Sequence, residues 1–150
     1  MVKNNKWLFT LYLIIYILTN IIYIGLELYK FKLRTLFDVN LQGNIYFNKV
    51  IELSKVSTGL EYLIAIISII FLMITLIDCR YEMNDISLKS YIMINVGVWI
   101  GCKGMAVIFA NLLTITMGNL TQQNILVIYI TVIALIVYIF KILNKKIMLK

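Results

Sequence analysis

Four long apolar stretches divide the chain, and polar or charged residues separate them. They cover residues 7–29, 59–77, 90–114 and 124–143. A helix needs about 20 apolar residues to cross ~30 Å of hydrocarbon, so each stretch is long enough to span a bilayer. The pattern predicts an all-α, integral membrane four-helix bundle that forms a single domain over residues 1–150.

The connections between these stretches differ in length and character. Residues 80–89 form a short charged connection, and residues 118–123 form an uncharged turn. Residues 30–58 are expected to form the longest loop, between the first and second helices. There, alternating residues on both sides of the Gly-Asn pair at 43–44 indicate a small β-hairpin, whereas apolar residues at helical spacing over 47–55 indicate a short amphipathic helix at the membrane surface. Both interpretations stay open on sequence alone.

Polar and small residues recur at helical spacing in the first three stretches. In lipid no general hydrophobic force pulls helices together, so packing and polar contacts decide which faces meet. We expect these three helices to face one another, and the fourth, which is almost entirely Ile, Val, Leu and Tyr, to face mostly lipid. Gly97 and Gly101 form a small-xxx-small pair close to the third stripe. The stripes are Tyr12, Tyr16, Asn20, Tyr23 and Glu27; Glu61, Ala65, Ser68 and Thr75; and Asn95, Trp99, Lys103, Ala106, Ala110 and Thr114.

Lys103 lies in the middle of the third stretch, where a charge costs at least about 2.5–3.5 kcal/mol. The two glutamates within the stretches fall toward one side of the membrane, roughly 15 Å from the depth of Lys103. Two interpretations are open. Lys103 snorkels between helices while the glutamates stay solvated at the interface, or a polar cluster binds a ligand, an ion or a partner helix. The candidate cluster consists of Lys103, Glu27, Glu61, Asn20 and Asn95.

Composition agrees with a membrane protein and narrows the chemistry. The chain is 62% hydrophobic and 14% charged, and 150 residues could not bury such an apolar excess in their own core, so a lipid bilayer is the expected surrounding. The net charge of +7 comes from basic residues that flank the spans, so nucleic acid is not an expected partner. His is absent, and Cys79 and Cys102 are isolated. We therefore expect no metal site and no cofactor.

The distribution of Lys and Arg predicts that both termini lie in the cytoplasm. This orientation places eight basic residues near the span ends on the inner side and five on the outer side, with Lys103 left out. The richness in Ile, Asn and Lys suggests an AT-rich bacterial genome, and hence a multi-pass protein of a bacterial cell membrane. The inner set is Lys3, Lys6, Arg80, Lys89, Lys141, Lys145, Lys146 and Lys150, and the outer set is Lys30, Lys32, Arg34, Lys49 and Lys55.

No motif in the chain supports catalysis. It contains no HExxH pair, no nucleophile elbow, no phosphate-binding glycine loop and no acids at catalytic spacing, so an enzyme is not expected. We expect a binding or accessory protein, either a subunit of a membrane complex or a bacterial protective or immunity-type factor. Residues 30–58 and the stripe around Lys103 would contact the partner. The alternative is an oligomeric channel or carrier that uses the polar cluster around Lys103.

Overall fold

The computed structural model describes residues 5–37, 43–82, 86–114 and 120–148. No β-strand occurs in these ranges, and each of the four helices contains a segment long and apolar enough to cross a bilayer. The prediction of an all-α, four-helix membrane bundle is therefore confirmed. The helices are α1 (Asn5–Phe37), α2 (Gly43–Glu82), α3 (Ile86–Leu113) and α4 (Ile125–Met148), and one turn of 3-10 helix at Gln122–Asn124 leads into α4.

Helices α1 and α2 are much longer than the apolar stretches within them. They contain 33 and 40 residues, which correspond to about 50 and 60 Å, against ~30 Å of hydrocarbon. The segment predicted as the longest loop is helical over 30–37 and 43–58. The hairpin prediction is wrong over 43–47, and the short amphipathic helix is the first part of α2 instead of a separate element. Residues 38–42 lie outside the described residues.

Helices α1 and α2 extend beyond the apolar stretches because a helix needs backbone hydrogen bonds and a packing partner, not an apolar sequence. The chain contains no proline that would stop either helix. The extension of α1 beyond the apolar stretch packs inward, since Leu33 is only 5% exposed and Lys30 is also buried. Charged residues in these extensions therefore mark the limit of the apolar segment and not the end of the helix.

Helix α4 begins beside α3 well before α3 ends. Lys103 Nζ donates a hydrogen bond of 3.1 Å to Thr121 Oγ1, so the first residues of α4 lie level with Lys103. Residues 104–113 of α3 extend beyond that level by about 15 Å. We call the end of the bundle at which α1 and α3 end, and α2 and α4 begin, the connection end.

Buried aromatic side chains from α1 form the centre of the bundle. The Tyr12 ring stacks on Phe71 of α2, with ring centroids 4.3 Å apart, and on Tyr91 of α3 at 5.9 Å. Helix α4 also contributes to the interior, because Val127, Thr131 and Ala134 are buried. It therefore packs in the bundle along one narrow face, while most of its other side chains are exposed, in agreement with the expectation that it would mostly face lipid.

Candidate functional site: buried polar clusters, an end pocket and an apolar groove

A layer of hydrogen-bonded side chains joins all four helices, and we call it the tyrosine–asparagine layer: Tyr12, Ser68, Tyr91, Asn95 and Thr131. Tyr12 Oη donates to Asn95 Oδ1 at 2.6 Å, and Asn95 Nδ2 donates to Thr131 Oγ1 at 3.0 Å. The Ser68 and Tyr91 hydroxyl oxygens lie 2.6 Å apart, and Tyr12 Oη lies 3.3 Å from Ser68 Oγ. All five side chains are buried, so this layer ties the helices together without reaching solvent.

A second buried group surrounds Asn20, and we call it the asparagine cluster: Tyr16, Asn20, Cys102, Gln123 and Asn124. Three donors converge on Asn20 Oδ1, from Cys102 Sγ at 3.3 Å, Gln123 Nε2 at 3.0 Å and Asn124 Nδ2 at 2.9 Å. Tyr16 Oη donates to Asn124 Oδ1 at 2.7 Å. The cluster fixes the start of α4 against α1 and α3, because two of its members precede α4 directly.

A polar cavity of about 210 Å³ lies between α1 and α2 at the connection end, and we call it the end pocket. Glu27 pairs with Lys30 one helical turn away, and both side chains are more than nine-tenths buried. Tyr23 Oη donates to Glu61 Oε1 at 2.9 Å. The sequence placed the two glutamates on one side of the membrane, and the structure places both in this pocket. Its lining consists of Tyr23, Glu27, Lys30, Arg34, Ser54, Ser57, Thr58, Glu61 and Gln122.

Lys103 lies apart from both glutamates. Its ammonium donates to Thr121 Oγ1, lies 6.0 Å from the centre of the Trp99 ring, and is partly buried. The ammonium therefore has partners within the chain, on α3 and at the start of α4. The geometry therefore favours a role in joining α3 to the start of α4.

An open apolar groove separates α1 from α3. It has a volume of about 700 Å³, and its floor includes Asn20 and Cys102 of the asparagine cluster. Gly97 and Gly101 line it, and a methyl group built on either glycine would meet no other atom within 4 Å. The small-xxx-small pair thus faces open space and is not used in packing within the chain. The other lining residues are Leu13, Ile17, Ile21 and Ile24 of α1 and Met93, Ile94, Val98 and Met105 of α3.

The five candidate site residues do not form one cluster. Asn95 belongs to the tyrosine–asparagine layer, Asn20 to the asparagine cluster, Glu27 and Glu61 to the end pocket, and Lys103 contacts Thr121. Sequence analysis missed Ser57, Lys30 and Gln123 because they lie in segments that were predicted as loops or turns, and it missed Asn124 because this residue is the first of the predicted fourth span. A run of amides directly before an apolar helix, as at 122–124, is the signal that marks such residues.

The groups described above interact through hydrogen bonds and charge. Among the residues that the structure describes, no group of three or more His, Cys, Asp or Glu side chains is arranged to hold a metal ion. Comparison of the chain with protein-family models, curated proteins and solved structures finds no match.

Proposed function

We propose that this small polytopic membrane protein is a binding or accessory protein, and that the groove between α1 and α3 binds a transmembrane helix of a partner protein. The observation that carries the proposal is the pair of exposed glycines on the groove wall. Glycine in the middle of a helix destabilises it by about 1 kcal/mol relative to alanine. Glycine at such a position is typical of a surface where a second helix backbone approaches closely.

Gly104 extends this surface by one further turn. It follows Gly101 by three residues, is exposed, and has open space around the position of a methyl group. Residues three and four apart share a helix face, so Gly97, Gly101 and Gly104 form one continuous small-residue strip on α3. A strip of this length matches two turns of an approaching helix.

The walls of the groove suit an apolar partner. Its lining side chains are aliphatic or methionine, apart from Asn20 and Cys102. Those two already contact each other within the asparagine cluster, so they do not require a polar group from the partner. An apolar transmembrane helix with small or aliphatic residues on one face would leave no polar atom without a partner.

The closed interior favours binding over transport by a single protomer. The tyrosine–asparagine layer crosses the centre of the bundle, and its side chains hydrogen bond to one another instead of lining a water-filled space. Sequence analysis placed the contact surface at residues 30–58 and Lys103. The groove replaces it in this proposal because Lys103 has partners within the chain.

Photo-crosslinking in native membranes tests the proposal. A photoreactive residue replaces Ile21 on the groove wall or, as a control, Ile66 on an exposed face of α2. We expect a single foreign membrane protein to be crosslinked from position 21 and not from position 66. Crosslinking only to lipid, or equal crosslinking from both positions, would contradict it.

A matched pair of leucine substitutions gives an independent test. Gly101→Leu fills the groove, whereas Gly25→Leu adds the same side chain to an exposed position of α1 that does not line it. We expect affinity purification of Gly101→Leu to recover the partner at least about tenfold less well, with Gly25→Leu unchanged. Purification of a homo-oligomer with no foreign subunit would favour the channel or carrier alternative.

The bacterial cell membrane and cytoplasmic termini belong to the same proposal. The richness in Ile, Asn and Lys supports the bacterial origin, and the distribution of basic residues supports the orientation. Single cysteines at Lys32 and Lys141, introduced into a chain with both native cysteines replaced, lie near opposite ends of the bundle. We expect a membrane-impermeant thiol reagent to label position 32 in intact cells and position 141 only after lysis. Labelling in the reverse order would overturn this orientation.

A further inference from the structure

We infer that the end pocket binds a small water-soluble zwitterion, with its ammonium against Glu61 and Ser57 and its carboxylate against Arg34. The pocket lies between α1 and α2, whereas the groove lies between α1 and α3, so the inference does not depend on the proposed function. A cavity of about 210 Å³ lined largely by polar atoms is hydrated or occupied by a polar ligand.

An unsatisfied hydroxyl points to a ligand in this pocket. Ser57 is only 2% exposed, and its Oγ has no hydrogen-bond partner among the described residues. Two neighbouring hydroxyls on the same helix are already used, since Ser54 donates to the Val50 carbonyl and Thr58 donates to the Ser54 carbonyl. A buried polar atom without a partner costs about 1–3 kcal/mol, which a ligand donor at Ser57 would offset.

The charges in the pocket select a ligand that carries both signs. Two acids, Glu27 and Glu61, and two bases, Lys30 and Arg34, line it, so its formal charge is zero. Glu27 pairs with Lys30, whereas neither Glu61 nor Arg34 forms an ion pair with another described residue. The carboxylate of Glu61 would repel a simple anion, and the guanidinium of Arg34 would repel a simple cation. A zwitterion satisfies both.

The order of the charges favours a free zwitterion over a lipid headgroup. Glu61 bonds to Tyr23, while Arg34 follows Tyr23 by eleven residues, or about 16 Å along α1 toward the connection end. The acid therefore lies nearer the bundle centre and the base nearer its end. A phosphatidylethanolamine headgroup has the reverse order, because its phosphate is closer to the acyl chains than its ammonium.

A series of ω-amino acids measures this arrangement directly. The purified protein in detergent is titrated with glycine, β-alanine, γ-aminobutyrate and ε-aminocaproate at constant ionic strength, and binding is followed by calorimetry and by the thermal unfolding midpoint. Ethylammonium chloride and sodium acetate serve as single-charge controls. We expect one chain length to bind best, with neither control ion producing a comparable shift.

Matched substitutions locate the ligand. We expect Ser57→Ala and Glu61→Gln to weaken binding of the best ligand by about tenfold or more, because each removes one contact to the ammonium. Ser54→Ala and Glu52→Gln are the controls, since Ser54 already bonds to its own helix and Glu52 is exposed and does not line the pocket. Arg34→Gln should weaken binding of the zwitterion. Lys32→Gln, at an exposed neighbouring lysine, should have no effect on binding.

Three results would overturn the inference. They are equal binding of ethylammonium or acetate alone, equal loss in Ser54→Ala and Ser57→Ala, and stabilisation by phosphatidylethanolamine in nanodiscs with no response to any free amino acid. None of these results bears on the groove, because partner capture by Gly101→Leu and Gly25→Leu is measured separately.

Discussion

The tyrosine–asparagine layer and the end pocket are both polar regions inside an apolar bundle, yet they differ in how their polar atoms are satisfied. In the layer, hydroxyls and amides from four helices bond to one another at 2.6–3.3 Å. In the pocket, the buried Ser57 hydroxyl has no hydrogen-bond partner, and Glu61 and Arg34 form no ion pair, within the described residues. The layer is complete as it stands, whereas the pocket keeps one buried hydroxyl unsatisfied.

This difference separates a structural role from a binding role among residues of the same chemical type. In a low-dielectric interior a satisfied polar network fixes one arrangement of the helices, while an unsatisfied group raises the free energy of the empty site. Ser68 and Ser57 are both buried serines of α2, three turns apart, and they belong to opposite sides of this distinction. Removing a polar group from the layer should therefore lower the free energy of unfolding, whereas removing the unsatisfied hydroxyl from the pocket should not.

Removal of Asn95 should have the largest effect on stability. Asn95→Ala breaks the bonds to Tyr12 and Thr131 and leaves a cavity between α1, α3 and α4. We expect the free energy of unfolding to fall by about 2–4 kcal/mol, measured by titration of SDS into mixed micelles. Asn111→Ala, at an exposed position of the same helix, should leave it unchanged. Equal effects of the two variants would show that the layer does not hold the helices together.

Tyr12→Phe should have the next largest effect. It keeps the stacking with Phe71 and removes the hydroxyl that donates to Asn95. We expect a loss of about 1–1.5 kcal/mol in the same titration. Tyr62→Phe is the matched control, because the Tyr62 side chain is 60% exposed and should contribute nothing measurable. If Tyr12→Phe leaves the free energy of unfolding unchanged, ring packing and not hydrogen bonding stabilises the layer.

Ser68 and Ser57, the two buried serines of α2, should respond differently to replacement by alanine. Ser68→Ala removes a hydroxyl that bonds to Tyr91, so the free energy of unfolding should fall by about 1 kcal/mol. Ser57→Ala removes a hydroxyl without a partner, so without ligand the free energy of unfolding should stay the same or rise by up to about 1 kcal/mol. Thermal unfolding without added ligand measures both. A loss of the same size in both variants would remove the distinction between layer and pocket.

The smallest expected effect concerns Lys103. Lys103→Met keeps the packing of the aliphatic stem and removes a hydrogen bond from a partly exposed ammonium to Thr121. We expect a loss of about 0.5–1 kcal/mol and undiminished capture of the partner. Lys89→Met, at an exposed position near the start of α3, is the control. If Lys103→Met loses partner capture and Lys89→Met does not, Lys103 belongs to the surface that contacts the partner.

The sequence predicted the helices and the faces that they bury. Hydropathy located all four spans, and helical spacing identified the α1 stripe, whose five members Tyr12, Tyr16, Asn20, Tyr23 and Glu27 are all buried. These predictions succeed because a polar side chain in a membrane-spanning helix avoids lipid only when it faces the other helices. Every polar position within a span therefore carries information about orientation.

The extents of α1 and α2, and with them the end pocket, could not be predicted in this way. Lys30, Arg34 and Ser57 lie beyond the apolar stretches, where hydropathy no longer distinguishes a helix from a loop. The helical spacing over 47–55 indicated a short helix, but it competed with the hairpin interpretation and did not show that the helix continues without a break into the apolar stretch. Gly97 and Gly101 were recognised as a pair, but only the structure shows that they face open space.

The offset between α3 and the start of α4 imposes a hydrophobic mismatch on the surrounding bilayer. Past the level of Lys103, α3 continues with the exposed side chains Ile108, Leu112 and Leu113, while α4 has no counterpart there. A flat membrane perpendicular to the bundle axis would expose these residues to water or draw the polar start of α4 into hydrocarbon. Tilting of the bundle toward α3, or local thinning of the bilayer beside α4, relieves the conflict at a cost of fractions of a kcal/mol per Å. The offset between α3 and α4 would thereby make the protein sensitive to membrane thickness.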